Sequence, residues 1–239
     1  MNKDEIAIAT VSWARNAEEE KILKASLSQL ALLNVPVFIT DGGSPEGFVT
    51  FLQSLPHFTV LIEKDKGLFA QVKSSLAAAI SAANPFIFYT EPDKENFFRE
   101  GLPKVLETAT APNDLGVLLA SRSAKGFASF PAFQQMTETT INNCCTELMG
   151  IEADYCYGPF LLNKQLVTLL EEIKEDIGWG WRPFVFNRAH RLGYTVKAFE
   201  DNFLCPEGQR NDDAAERIYR MKQLEQNMRG LVLATASKQ

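Results

Sequence analysis

The chain has 239 residues, 46% of them hydrophobic, so it can bury a large core, and a disordered chain is excluded. The formal net charge is −6 and no cluster of basic residues covers the chain, which argues against nucleic acid as a main partner. The sequence contains no 18-residue uncharged apolar stretch, no apolar leader and no C-x-x-C pair among its four cysteines. We therefore expect a cytoplasmic protein with free thiols and no integral membrane segment.

Apolar runs alternate with helical patterns in the first half of the chain. We predict strands at Ile6–Val11, Val35–Thr40, Phe58–Ile62, Phe86–Tyr89 and Leu115–Ala120. Helices are predicted after a cap at Asn16, around Phe48 and Leu52, over Leu68–Ala83 and over Asn96–Thr108. This alternation predicts an α/β fold, a mostly parallel sheet with helices on both faces.

Polar residues follow each of the first four predicted strands. They are Thr10 and Ser12, then Asp41, then Lys64 and Lys66, then Glu91 and Asp93. Right-handed crossovers bring the carboxyl ends of parallel strands to one edge of the sheet, and ligands of such sheets bind outside those ends. A nucleotide diphosphate with a metal ion would use all of these groups.

Glu91 and Asp93 are two residues apart, so in extended backbone both carboxylates point the same way. Two hard oxygen ligands suit Mg²⁺ or Mn²⁺, especially an ion shared with a diphosphate. The same residues also fit a capping box, with Thr90 as the N-cap of a helix and Asp93 at its third position. The sequence leaves both interpretations open.

The second half is less regular. We predict helices over Gln134–Met149, Lys164–Ile173 and Asp213–Arg229, and a last strand at Tyr194–Phe199. A further helix is predicted to end near Leu192. An aromatic strand-and-turn segment at 154–159 and a glycine- and tryptophan-containing segment at 178–183 interrupt this pattern. The loop at 205–213 carries Arg210, which we expect either to close onto a diphosphate or to remain in solvent.

The order of these features resembles that of the GT-A glycosyltransferases, in particular the family-2-like enzymes. The matching segments are Ile8–Ser12, Asp41–Ser44, Lys64–Gly67 and Glu91–Asp93, followed more loosely by Asp154–Pro159 and Trp179–Arg182. The resemblance implies a single GT-A-like domain over residues 1–239. Its parts would be a nucleotide-binding half at 1–122, an acceptor-side half at 123–204 and a C-terminal loop and helix at 205–239.

The resemblance also implies roles for individual residues. The nucleotide would be bound by Thr10, Ser12, Asp41, Lys64 and Lys66. Mn²⁺ or Mg²⁺ bridging the diphosphate would be held by Asp93 with Glu91, and would stabilise the charge that develops on the leaving group. The acceptor side would include Tyr157, Trp179, Trp181 and Arg182. An inverting enzyme also needs a general base, for which Asp154 and Asp176 are the candidates.

Several other residues have a functional and a structural interpretation. Arg122 offers a fork of donors that suits a phosphate, or it forms a surface ion pair. His190 would be a third metal ligand, or a helix surface residue. Trp179 and Trp181 would stack on a sugar, or pack. For the basic residues of the last helix a solvated face is the preferred interpretation, and they are Arg217, Arg220, Lys222 and Arg229.

The leading hypothesis is therefore a metal-dependent glycosyltransferase that moves a sugar from a nucleotide-diphosphate donor to an acceptor hydroxyl. One alternative is a sugar-phosphate nucleotidyltransferase, although the segment after the first strand lacks the glycine-rich loop of those enzymes. Another is a nucleotide-sugar-binding protein without turnover, because no carboxylate adjoins the tryptophan segment. No Walker A or G-x-G-x-x-G motif occurs, which argues against a P-loop NTPase or a dinucleotide oxidoreductase.

Overall fold

The computed structural model of the protein describes residues 1–63, 67–109, 112 and 114–236. The chain divides into two compact units. The first comprises Met1–Ala111 and Pro159–Val167, and the second comprises Pro112–Gly158 and Thr168–Gln239. These bounds differ from the predicted divisions after residues 122 and 204, and the single domain over residues 1–239 stays a prediction.

Seven strands occur in the described part of the chain. They are β1 (Ile6–Ser12), β2 (Val37–Asp41), β3 (Phe58–Ile62), β4 (Phe86–Tyr89), β5 (Leu115–Arg122), β6 (Phe160–Asn163) and β7 (Thr195–Asp201). The α-helices are α1 (Ala17–Ala31), α2 (Glu46–Ser54), α3 (Leu68–Ile80), α4 (Leu102–Thr108), α5 (Ala124–Phe127), α6 (Ala132–Met149), α7 (Trp181–Arg191) and α8 (Ala214–Ala236). Short 3-10 helices cover Lys3–Glu5, Lys164–Glu172, Gly178–Gly180 and Glu207–Gln209, and a π-helical turn covers Phe97–Gly101.

The first unit is built on strands in the order β3-β2-β1-β4-β6. β1 pairs in parallel with β2 and β4, and β2 pairs in parallel with β3, while β6 runs antiparallel to β4. Every residue of β1 and β4 is buried, as strands covered on both faces require, so they appear in the sequence as continuous apolar runs. The predicted α/β class with a mostly parallel sheet flanked by helices is confirmed.

The second unit contains the parallel pair β5 and β7, whose register runs from Leu115 opposite Thr195 to Arg122 opposite Asp201. Its long helices pack on one another, α8 against both α6 and α7. Two glycines let α8 come close to the 3-10 turn before α7, because a Cβ atom on Gly230 would lie 1.9 Å from the carbonyl oxygen of Gly180. This contact holds α8 against the turn that precedes α7.

The structure corrects the prediction at three places. β6 was not predicted, because it directly follows a turn at Pro159 and its pairing with β4 is distant in sequence. The predicted helix over Lys164–Ile173 is a 3-10 helix over Lys164–Glu172. The helix predicted over Asn96–Thr108 begins with a π-helical turn before α4. Among the described helices, none combines the length and the apolar character that a membrane crossing requires.

Candidate functional site

Asp41 is the last residue of β2 and lies at the carboxyl end of the strand, where the sequence predicts a ligand. Its Oδ1 accepts hydrogen bonds from the backbone N–H groups of Gly43 (2.9 Å) and Ser44 (2.7 Å). Its Oδ2 accepts from the hydroxyls of Ser12 (2.9 Å) and Ser44 (2.6 Å), and the residue is completely buried. Both carboxylate oxygens therefore order the turn after β2. Direct contact of Asp41 or Ser12 with a nucleoside stays a prediction.

The turn after β2 is fastened to the segment after β1. The N–H of Ala14 donates to Ser44 Oγ (2.7 Å), and the N–H of Gly42 donates to the carbonyl of Ser12 (2.8 Å). Gly43 has a φ of +112°, which only glycine adopts readily, and a Cβ atom placed there would meet nothing within 4 Å. The result is a rigid turn with open space beside its backbone at Gly43.

Thr10 is also engaged within the first unit. Its hydroxyl donates to the carbonyl of Thr90 (2.8 Å), and the N–H of Thr90 donates to the carbonyl of Ala9 (3.2 Å). Both threonines are completely buried. Thr10 therefore continues the pairing of β1 with β4 beyond the end of β4, where it sets the course of the chain into Glu91. Its predicted contact with a nucleoside is untested.

Glu91 and Asp93 follow β4 and are both half-buried. Residues 92 and 93 form a turn, and helical backbone begins only at residue 95. The Thr90 hydroxyl donates to the carbonyl of Glu91 (3.1 Å), so it does not cap a helix that starts at Glu91. The capping-box interpretation is wrong for this segment, which leaves the two carboxylates without that structural explanation.

No group of three or more histidine, cysteine, aspartate or glutamate residues within the described ranges is arranged to hold a metal ion. Glu91 and Asp93 belong to the first unit and His190 to the second, and their joint role as metal ligands stays a prediction. His190 lies on α7 and is half-buried. Glu91 and Asp93 supply two hard oxygen donors after a strand, which fits Mg²⁺ or Mn²⁺ when the remaining ligands come from a diphosphate and water.

Arg122, at the end of β5, was predicted to bind a phosphate or to form a surface ion pair. Its guanidinium donates through Nε to Asp154 Oδ2 (2.5 Å) and through Nη2 to Asp154 Oδ1 (3.0 Å) and Glu138 Oε2 (2.6 Å). The side chain is 1% exposed and lies against the rings of Phe127 and Phe130. The structure thus corrects the phosphate prediction: Arg122 belongs to a buried ion-pair network.

Asp154 is the second carboxylate of that network. Beyond Arg122, its Oδ1 accepts from Asn142 Nδ2 and from the backbone N–H of Cys156, each at 3.1 Å. Burial raises the pKa of Asp154, but the charge and hydrogen bonds of Arg122 outweigh that effect and hold the pKa below its ordinary value. A carboxylate with both oxygens engaged and a lowered pKa is a poor general base. The structure therefore disfavours Asp154 as the base.

Asp176 differs from Asp154 in its surroundings. It is exposed, and its Oδ1 accepts from the N–H of Gly178 (2.8 Å), which anchors the turn before α7. Within the described residues its Oδ2 accepts no hydrogen bond, so it offers the more available oxygen of the two predicted candidates. Its role as a general base stays a prediction.

Trp179 and Arg182, predicted on the acceptor side, lie together in the second unit. The guanidinium carbon of Arg182 is 4.7 Å from the centroid of the Trp179 ring, within the range of a cation–π contact. Trp179 is half-buried, and its Nε1–H donates at the protein surface to the hydroxyl of Tyr219 on α8 (3.0 Å). This pair retains a solvent-accessible aromatic surface.

Trp181 and Tyr157 do not present such a surface. Trp181 is completely buried, and Tyr157 is 8% exposed with its ring stacked on Phe203 at a centroid distance of 4.8 Å. Their large apolar areas stabilise the second unit by burial. The structure corrects both acceptor-binding predictions in favour of packing.

The remaining predicted nucleotide ligands are the basic residues of two loops. Lys64 and Lys66 lie outside the described residues. Arg210 is exposed, and its Nη2 donates to the carbonyl of Cys205 (3.3 Å), within its own loop. Closure of Arg210 onto a diphosphate is untested.

Sequence reasoning did not single out Trp13 or Tyr219, two aromatic residues that the structure exposes at the surface. Trp13 follows β1 directly and is 53% exposed, with the Arg15 guanidinium carbon 5.8 Å from its ring centroid. Its position directly after a buried strand was a usable signal, because ligands of parallel sheets bind outside the carboxyl ends of the strands. Tyr219 gave no such signal, since its neighbour Trp179 is 40 residues away in the sequence.

Comparison with solved structures identifies the fold of the chain. The chain has the GT-A fold. It is similar to glucosyl-3-phosphoglycerate synthase from Mycobacterium tuberculosis, solved with Mn²⁺, uridine diphosphate and phosphoglyceric acid. The TM-score is 0.64 at 15% identity, over 98% of this chain and 80% of that chain.

Two further structures extend this likeness. The same mycobacterial enzyme with uridine diphosphate gives a TM-score of 0.66 at 13% identity, over 97% of this chain and 81% of that chain. Mannosyl-3-phosphoglycerate synthase from Rubrobacter xylanophilus gives a TM-score of 0.65 at 13% identity, over 98% of this chain and 76% of that chain. At these identities the likeness establishes the fold. No family model matches the chain, and no curated protein matches it in sequence.

Proposed function

We propose that the protein is a metal-dependent glycosyltransferase that moves a sugar from a nucleoside-diphosphate donor to an acceptor hydroxyl. The observation that carries this proposal is the combination of the GT-A fold with Glu91 and Asp93 directly after β4. Solved structures of similar fold contain Mn²⁺ or Mg²⁺ with uridine diphosphate. The donor class we infer for this chain is therefore a uridine-diphosphate sugar.

The first unit would bind the donor. The turn at Asp41 is held rigid by hydrogen bonds, with open space at Gly43 for a ligand to approach the backbone. The exposed indole of Trp13 supplies a stacking surface for a base. In this account Asp41 orders the nucleoside site, and Trp13 provides its contact area.

Glu91 and Asp93 would hold Mn²⁺ or Mg²⁺ together with the diphosphate. When bound, the ion would act as a Lewis acid that stabilises the negative charge of the departing nucleoside diphosphate. Two protein carboxylates agree with the way magnesium binds in phosphate-transferring sites, where substrate oxygens and water complete the coordination.

The second unit would bind the acceptor. Trp179, backed by the guanidinium of Arg182, offers a ring for stacking, and Asp176 carries the more available of the two candidate carboxylates. Asp176 would accept the proton of the acceptor hydroxyl as transfer proceeds. A binding protein without turnover is the second candidate function, and the engagement of Asp154 by Arg122 is the observation that favours it.

A turnover assay tests the proposal. Release of uridine diphosphate from UDP-glucose would be followed with Mn²⁺, with and without phosphoglyceric acid as acceptor, for the parent protein and for Asp176→Asn. Turnover in the parent and a loss of about 100-fold or more in the variant support transfer with Asp176 as base. Donor binding without turnover in the parent supports the binding protein. The same assay with GDP-glucose and ADP-glucose identifies which nucleobase the donor carries.

A further inference from the structure

Gln71 lies in the first turn of α3, within the first unit, and only 9% of it is exposed. Its backbone N–H donates to the carbonyl of Gly67 (3.4 Å), whereas its side-chain amide has no hydrogen-bond partner among the residues that the structure describes. A buried amide without partners destabilises the folded state, and such groups are rare unless something else supplies the hydrogen bonds. The unused donor and acceptor of Gln71 therefore point to a ligand.

The amide of Gln71 occupies the place that a side chain of residue 42 would take. A Cβ atom on Gly42 would lie 1.7 Å from Gln71 Nε2 and 3.5 Å from Gln71 Oε1. The amide nitrogen thus packs on the backbone of the turn after β2, and the carbonyl oxygen is the amide atom farther from that backbone. Because Gly42 directly follows β2, Gln71 brings a polar group from α3 to the carboxyl end of the strand, where ligands of parallel sheets bind.

Asp41, the carboxylate at this strand end, has no acceptor capacity left for a nucleobase. Its two oxygens already accept from the N–H groups of Gly43 and Ser44 and from the hydroxyls of Ser12 and Ser44. A carboxylate offers about four lone-pair sites, and these four hydrogen bonds fill them. An N–H group of a base at this turn therefore needs another acceptor, which Gln71 Oε1 supplies beside the next residue of the turn.

We propose that Gln71 recognises the nucleobase of the donor, its Oε1 accepting the ring N–H of the base, which is N3–H in uracil. The inference rests on the proposed function, because the base belongs to the proposed nucleoside-diphosphate donor. Stacking on Trp13 is available to every base and does not discriminate among them. The Gln71 oxygen does discriminate, since cytosine presents a lone pair at the ring position where uracil presents N3–H.

Three variants separate recognition of the base from packing. Gln71→Met keeps the length of the side chain and removes its amide, and Gln71→Leu replaces it if the methionine variant does not fold. Gln71→Glu keeps an acceptor at the same place and has no amide N–H, so it tests whether the oxygen performs the recognition. Gln53→Met is the matched control, because Gln53 is an exposed glutamine on α2 in the same unit.

The test is calorimetric titration of the full chain with uridine diphosphate and with cytidine diphosphate, each with Mn²⁺. We expect the parent to bind uridine diphosphate about tenfold or more tightly than cytidine diphosphate, the size expected for one hydrogen bond in a buried site. In Gln71→Met the affinity for uridine diphosphate falls about tenfold and that for cytidine diphosphate changes less than twofold, so the preference is lost. Gln71→Glu and Gln53→Met keep the preference.

The outcomes separate this inference from the proposed function. Failure of the parent to bind either nucleotide overturns the proposed function. Equal binding of the two nucleotides by the parent overturns the role of Gln71, as does a preference that survives in Gln71→Met or is lost in Gln71→Glu. An equal weakening of both nucleotides in Gln71→Met, or the same loss of preference in Gln53→Met, overturns it as well.

Discussion

Asp41 in the first unit and Asp154 in the second are both buried carboxylates at positions where the sequence predicts a functional role, and their environments differ in kind. Asp41 accepts from backbone N–H groups and serine hydroxyls of its own turn and of Ser12 at the end of β1, all neutral donors. Asp154 faces the guanidinium of Arg122. A carboxylate held by neutral donors orders the local backbone, whereas one paired with a buried charge must be retained to neutralise that charge.

The largest effect is expected at Asp154, the carboxylate that pairs with a buried guanidinium. Asp154→Ala leaves Arg122 buried with only Glu138 as a charged partner in the network, so we predict a loss of about 3–5 kcal/mol in unfolding free energy, measured by urea titration. Asp154→Asn keeps the shape and part of the hydrogen bonding and is the control. A loss below about 1 kcal/mol in the alanine variant would mean that the network relaxes freely.

The same pair predicts a pH dependence with a defined sign. The pKa of Asp154 lies below its ordinary value of 3.8, so its contribution to stability is fully present above that value and is lost as pH falls below it toward the lowered pKa. The difference in unfolding free energy between the parent and Asp154→Asn should therefore be constant from pH 7 to 5 and shrink as pH falls below about 4. A difference that grows with acidity would contradict the pairing.

A smaller effect on stability is expected at Asp41, whose hydrogen-bond donors are all neutral. Asp41→Ala removes the acceptor of Gly43, Ser44 and Ser12, and we predict a loss of about 2 kcal/mol together with uridine-diphosphate binding at least tenfold weaker. Asp41→Asn, which retains one carbonyl oxygen for the backbone donors, should recover part of both. Full nucleotide affinity in the alanine variant would show that the turn takes no part in the nucleoside site.

The smallest effect on the fold is expected at Trp13. Because this side chain is 53% exposed, Trp13→Ala should change the unfolding free energy by less than about 0.5 kcal/mol. Its loss as a stacking surface should weaken uridine-diphosphate binding by about tenfold in a calorimetric titration. Leu32→Ala, which removes another exposed apolar side chain of the first unit, is the matched control and should leave affinity unaltered.

The fold was predictable because its signals are local. β1 and β4 are buried runs whose residues had to be apolar, and the alternation with helices determined the parallel pairing. β6 was not predicted, because its pairing partner β4 lies more than 70 residues away in the sequence. The site was less predictable. A sequence shows which carboxylates follow strands, but it does not show which of them already accept hydrogen bonds from buried donors elsewhere in the fold. Contacts that are distant in sequence engage Arg122, Asp154 and Tyr157 in pairing or packing, and Trp181 is completely buried.

The most direct test of the central claim is the Mn²⁺ dependence of uridine-diphosphate binding, measured by calorimetry for the parent and for Asp93→Asn. We predict that Mn²⁺ tightens binding to the parent at least tenfold and that the variant keeps its thermal stability but loses this dependence. Glu91→Gln should lose part of it. Binding that is independent of Mn²⁺ in the parent, or equally dependent in Asp93→Asn, would contradict a metal-dependent transferase with its ion at the end of β4.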